Sequence, residues 1–265
     1  MAAALQRFPA IRLHALYVAS NHLHAVVTDE DGSLSAFCGF FLGNLAKDVN
    51  ELVGRLGPVF HRRFSAEPIL DDDAVVERIT YLVCNPVADR LVSCWRRWPG
   101  LLLWAGDGRT TERSFRRLDI GAYAAARRAA RSASKVHERD FFKTASLLIS
   151  DPSDSDGRPF DPDRTRAAVA ARSAALGSQT RGQRVLGQFG VVARDPHQRP
   201  THTARSPRPL CHASDIDLRI AFRRAWRTLV AAYRCAAARF RGGETETRFP
   251  AFTFPPWRPL VGTAT

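Results

Sequence analysis

The chain has 265 residues, of which 45% are apolar and 25% charged, a composition ordinary for a folded protein of one or two domains. No apolar run reaches the length of a membrane-spanning helix and the N-terminus lacks a signal-peptide pattern, so neither a membrane-embedded nor a secreted protein is expected, and a cytoplasmic one is. The formal net charge is +13, and its distribution is uneven: residues 1–100 carry a net −1 and residues 101–265 a net +14.

An excess of that kind suits a polyanionic partner, because each neutralised phosphate releases counterions. Only three of the thirty-nine basic residues are lysines, so a GC-rich coding bias is the competing explanation. Five cysteines without a Cys-x-x-Cys pair indicate neither a disulfide framework nor a cysteine zinc site. Cys38, Cys84 and Cys94 sit in apolar surroundings and read as small buried hydrophobes.

In chain order, residues 11–28 read as two strands joined by a tight turn at Ser20-Asn21, with Leu13, Ala15 and Tyr17 in alternation. A helix is expected from Leu34 to Leu56, with Ser33 at its N-cap, an apolar face of Phe37, Phe40, Phe41 and Leu45, and Gly57-Pro58 as its stop. A short extended stretch from Val59 to Ile69 follows. Asp71-Asp72-Asp73 then opens a second helix, where acidic side chains meet the positive end of the helix dipole. Its pattern runs to about Cys84, and Pro86 disturbs or ends it.

Beyond Trp104 the pattern weakens. Residues 123–131 and 166–175 read as short helices, while residues 150–164 and 194–209, rich in Pro, Asp, Ser and Arg, read as loop or disorder. A longer amphipathic helix is expected from Asp215 to Phe240, stopped by Gly242-Gly243. It would pack its apolar side and leave an arginine-bearing face in solvent. The chain thus divides into a core (1–105), an arginine-rich and poorly ordered middle with short helices (106–214), and a C-terminal helix and tail (215–265).

The residues that carry chemistry lie in the core. On a strand, His22 and His24 project from one face, so both imidazoles can converge on one metal ion. Alone, such a pair is weak evidence. On the following helix, at 100° per residue, Val75, Val76, Ile79, Leu82 and Val83 share one side, while Tyr81 and Asn85 fall opposite, one turn apart. An exposed tyrosine at a domain edge is one reading. The other is a nucleophilic hydroxyl beside an amide oxygen that joins the two imidazoles around Mg²⁺ or Mn²⁺.

The segments YVASNHLHAVVTD (17–29), GPVFHRRFSA (57–66), ERITYLVCNPVADRLV (77–92) and WRRWPG (95–100) resemble the single-tyrosine HUH transposases, in particular the REP-associated and insertion-sequence types. The marks are Ser-Asn-His-x-His, Tyr-x-x-x-Asn-Pro-Val and a following Trp-Pro, in that order over about residues 11–104. The resemblance implies that His22, His24 and Asn85 hold a divalent metal, Mg or Mn. It implies that Tyr81 cleaves single-stranded or hairpin DNA through a 5′-phosphotyrosine, leaving a 3′-hydroxyl that later rejoins the strands. Arg62, Arg63 and Arg78 would hold phosphates, or else are solvated surface charges. The implied fold is α+β, a ferredoxin-like antiparallel sheet with helices on one face, followed by a largely helical or irregular basic half. A homodimer is among the implied partners.

Family members carry another strand and helix before the hairpin, where only about ten residues precede Ile11. Either the chain begins late, or the fold lacks an element that belongs inside the sheet, a loss that would expose backbone groups and half a core. Two rival readings follow. One is a non-catalytic DNA-binding relic of such a transposase. The other is an unrelated metal hydrolase, which would recruit Asp29 or His61 beside the histidine pair. No Walker loop, nucleophile elbow or His-Glu-x-x-His is present.

Overall fold

The computed structural model describes residues 1–60, 62–107, 112–130, 136–154, 157–158, 160–195 and 209–257. The described chain is α+β, with seven helices and two small antiparallel sheets. It forms two compact units, residues 1–65 with 75–204 and residues 66–74 with 205–265. Among the described residues no helix is long and apolar enough to cross a membrane.

The first unit is built on a three-stranded sheet of β1 (Ile11–Val18), β2 (Leu23–Asp29) and β3 (Leu102–Trp104), in the order β2-β1-β3 with antiparallel pairing throughout. Ser20-Asn21 forms the turn, closed by the Ala19 N–H donating to the His22 carbonyl at 2.9 Å. The simple alternation read in β1 breaks at His14. Leu13 pairs with Val27 and Ala15 with Val26, so His14 is the extra residue of a β-bulge. A bulge shifts the side-chain phase by one. Leu13 therefore joins Leu16 in one core cluster, while Ala15 and Tyr17 belong to the opposite face.

His14 is buried by the bulge and fully satisfied. Its Nδ1–H donates to the Ser150 carbonyl at 2.8 Å, and its Nε2 accepts from the Thr28 hydroxyl at 2.9 Å. Burial holds its pKa below the usual histidine value, against the Ser150 bond that raises it.

The Leu13/Leu16 face is closed rather than open. Helix α1 (Ala2–Arg7) supplies Ala4 and Leu5, and Leu147 and Ile149 pack there from later in the chain. Helix α2 (Leu34–Val53) covers the same side through Phe37, Phe40 and Phe41. Ser33 occupies the N-cap position of α2, yet Asp29 does the capping, accepting from the N–H groups of Ser33 and Leu34 at 2.9 and 3.1 Å. The helix stops at Gly54, in the left-handed region at φ 61°, three residues before the expected stop. A glycine there caps without a Cβ penalty.

No strand forms over the described residues between Val59 and Ile69; the segment is irregular. Helix α3 (Asp72–Ala88) runs through Pro86 instead of ending at Cys84. Pro86 lies in the last turn and costs α3 one bond, the one its N–H would have made to the Leu82 carbonyl. Its carbonyl then accepts from Leu91 and Val92. Ile79, Leu82 and Val83 are buried as the periodicity requires. Tyr81 of α3 meets the ring of His24 on β2.

Further along, β4 (Glu112–Leu118) and β5 (Phe142–Leu148) form a two-stranded antiparallel sheet flanked by α4 (Ile120–Ala129). Helix α5 (Pro162–Gln179) begins earlier than expected, because the Asp161 carboxylate accepts from the Asp163 N–H and Pro162 takes the first position. Helix α6 (Gly187–Val192) is a short element. Of the five cysteines, all are free; Cys84 and Cys211 are buried, and burial pushes the Cys84 thiol up to about 11.

In the second unit, Ile69 makes an isolated parallel bridge to His212. One Asp71 oxygen caps α3 through the Ala74 N–H, and the other accepts from Ser214 and Asp215. Helix α7 (Ile216–Arg241) is capped by Asp215 and ends at Gly242. Tyr233 and Phe240 pack on Phe249 at 5.8 and 5.7 Å between ring centroids.

Candidate active site

The turn between β1 and β2 and the exposed side of α3 meet around a group of rings. Cross-strand pairing sets Tyr17 directly opposite His24, so the two share a face, with rings stacked at 6.4 Å and 8°. His22 sits at the end of the turn, one residue before β2 begins, and its ring lies 5.0 Å from that of His24. Tyr81 reaches from α3 to within 6.1 Å of His24, edge to face. Its side is 48% exposed, whereas Asn85, one turn later on the same helix face, is only 6% exposed.

His22 and Asn85 each leave a donor atom available to a cation. The His22 Nδ1–H donates to the Asn21 side-chain oxygen at 2.6 Å, which leaves Nε2 with its lone pair. Burial lowers the His22 pKa, opposed by the Asp89 carboxylate, so the ring is neutral at neutral pH as a ligand must be. The Asn85 side-chain oxygen is buried and has no hydrogen-bond partner among the described residues. A buried carbonyl oxygen left bare costs about 1–3 kcal/mol, and a hard cation is one way to satisfy it. By ligand type the amide oxygen suits Mg²⁺ or Mn²⁺, whereas the two imidazoles suit a transition-metal ion. Among the described residues no three His, Cys, Asp or Glu gather around a common point, so the metal reading rests on the mixed set.

Arg78 lies one turn before Tyr81, its guanidinium carbon 5.2 Å from the ring centroid, and pairs with Glu77. Arg62 and Arg63 are exposed on the irregular segment after α2. The geometry thus gathers His22, His24, Tyr81 and Arg78 and sets Asn85 one turn after Tyr81. Asp29 lies at the far end of β2 from His24, opposite Ile11, with both oxygens engaged at the start of α2. It is not a ligand beside the pair, and His61 lies outside the described residues.

Three neighbours escaped the sequence reading. Tyr17 is fully buried, its hydroxyl has no hydrogen-bond partner among the described residues, and burial, with Asp89 adding, raises its pKa to about 12. Trp98 packs on Tyr17 at 5.3 Å and donates its indole N–H to the Val18 carbonyl at 3.2 Å, pinning the end of β1. Only a glycine fits at position 100, since a Cβ there would lie 2.7 Å from the Trp98 indole nitrogen. Asp89 follows Asn85 by one turn, and that spacing was the available signal.

Comparison with protein-family models, with curated proteins and with solved structures gives no significant match to this chain.

Proposed function

We propose that the chain is a transposase of the single-tyrosine HUH type, cleaving and rejoining single-stranded DNA through Tyr81. The observation that carries the reading is the convergence of Tyr81 on His24 and His22, with the bare, buried Asn85 oxygen one turn away. The quoted motifs support it, as does the excess of basic residues. The ferredoxin-like arrangement that the resemblance implies belongs to this proposal too; its sheet would include β1, β2 and β3.

In this reading His22, His24 and Asn85 hold a divalent cation, which when bound polarises the phosphodiester and withdraws charge from the attacked phosphorus. Tyr81 attacks that phosphorus. A bond forms from its oxygen to phosphorus, the bond to the 3′-oxygen breaks, the phenolic proton passes to solvent, and the 3′-oxygen takes up a proton. The product is a 5′-phosphotyrosine and a free 3′-hydroxyl. Reversal by another 3′-hydroxyl exchanges strands without a nucleotide cofactor. Arg78, held against the Tyr81 ring, sets positive charge beside the attacked phosphate. Trp98 and Tyr17 keep the histidine end of the hairpin in register.

A labelled single-stranded hairpin oligonucleotide incubated with the protein and Mn²⁺ tests this on a denaturing gel. The expected result is a covalent adduct that disappears with EDTA and with Tyr81→Phe. Binding of the oligonucleotide without any adduct would instead identify a non-catalytic DNA-binding relative. Turnover that survives Tyr81→Phe would identify a metal hydrolase.

A further inference from the structure

Between Leu218 and Gly243 the sequence carries seven arginines and no acidic residue. All lie on α7. At 100° per residue, Arg219, Arg223, Arg227, Arg234 and Arg241 fall within about 80° of one another over about 33 Å of helix, a stripe bordered on the Arg219 side by buried Ala237. Four of the five are exposed, Arg219 being partly buried. Among the described residues no carboxylate pairs with any of the five; Arg239, on a different face, is the one α7 arginine that pairs, with Glu244 at 2.6 Å. Five like charges aligned without counterions repel one another, a standing cost that a polyanion relieves.

Trp226 borders the stripe, about 20° from Arg219 around the helix, and is 42% exposed. An aromatic ring beside a row of cations matches single-stranded nucleic acid, whose bases stack while its phosphates follow the charge. A basic amphipathic helix can also lie on an anionic membrane, but that mode needs a free apolar face. On α7 the exposed aliphatic residues Ile216, Leu218 and Ile220 are confined to its first turns, while further along Ala236 and Ala237 are buried and Tyr233 and Phe240 are packed on Phe249.

We propose that the arginine stripe of α7, with Trp226, is a binding track for the backbone of single-stranded DNA, separate from the Tyr81 site. The proposal stands on α7 and does not depend on the chemistry of Tyr81. A track of this kind holds a length of strand without reading its sequence, since phosphates carry the contact.

Fluorescence anisotropy of a labelled thirty-nucleotide oligo-dT with the full chain, in EDTA over a series of salt concentrations, tests it. Each phosphate neutralised on a single strand contributes about −0.7 to the slope of log Kobs against log salt. Arg223→Ala/Arg227→Ala/Arg234→Ala is therefore expected to make the slope shallower by about 2 and to weaken binding at least tenfold at moderate salt. The corresponding triple lysine variant should restore the slope. Trp226→Ala should weaken binding by about tenfold with the slope unchanged. The three arginines are exposed, and an unchanged circular dichroism spectrum establishes that the alanine variant is folded. Unchanged slope and affinity in that folded variant would overturn the proposal. So would loss of sedimentation with phosphatidylserine vesicles while oligo-dT binding stays at the wild-type level. The titration in EDTA reads binding alone, so a failure to form adducts at Tyr81 leaves this result readable.

Discussion

At the residue scale, burial decides which polar groups are idle and which are held. His14 and Asn85 are both buried polar side chains, but His14 has both ring nitrogens bonded while the Asn85 oxygen has no partner. The first is a structural residue and the second a candidate ligand, a difference that their positions in the sequence do not express. His14 makes a pH prediction. Its folded pKa lies below the unfolded value of about 6.5, because burial disfavours the charged ring. The unfolded chain therefore binds the proton first as pH falls, and stability decreases over that interval. Denaturant midpoints should be flat above about pH 7 and decline from the unfolded pKa down to the folded one. His14→Gln should flatten part of that decline, with His22, also depressed by burial, carrying a further part. An unchanged profile in His14→Gln would remove His14 from the account.

At the element scale, helix ends are set by local chemistry that reaches across several residues. The start of α2 depends on Asp29, at the end of β2, rather than on the hydroxyl of Ser33. Asp29→Ala should cost about 1 kcal/mol in denaturant unfolding, where Ser33→Ala should cost much less. The same variant separates the rival readings of the site, since a capping carboxylate can be removed without touching metal affinity. The bulge at His14 is the corresponding device in β1. Strict alternation would put Leu13 on the Tyr17 face; the extra residue returns it to the core beside Leu16 and leaves Tyr17 facing His24.

At the scale of the whole molecule, the unit of residues 1–65 and 75–204 brings together segments from distant parts of the chain: the β1–β2 turn, the last turns of α3 and the Trp98 loop. A cation bound only by that folded arrangement stabilises it by mass action, by about 2.7 kcal/mol at a hundredfold excess over its Kd. Mn²⁺ should therefore raise the Tm of the wild-type protein. The shift should vanish in His24→Ala and shrink in Asn85→Ala, while both variants remain folded without metal. Equal shifts in wild type and His24→Ala would place the metal elsewhere.

Several features were legible in the sequence because they depend on contacts near in the chain. The hairpin with its Ser20-Asn21 turn, the apolar side of α3, the stop of α7 at Gly242 and the spacing of Tyr81 with Asn85 follow from two-residue and 3.6-residue periods. The His22–His24 pair and the tyrosine were candidates on those grounds. Other features required the fold. The charged run of β4, with Glu112, Arg113, Arg116 and Arg117, gave no apolar rhythm, so its pairing with β5 was invisible. The closing of the Leu13/Leu16 face by Leu147 and Ile149 joins positions more than a hundred residues apart. Which arginines stand at the site was likewise a tertiary matter: Arg78 is placed by the pitch of the helix that carries Tyr81, whereas Arg62 and Arg63 lie on an irregular segment whose course no local period specifies. The sequence alone determined which side chains share a helix face or an unbroken stretch of strand, because backbone geometry imposes those periods; the bulge at His14 lay beyond that reach. Which faces meet, and which buried polar atoms are left bare, only the tertiary structure decided, because packing joins residues that no local interaction relates.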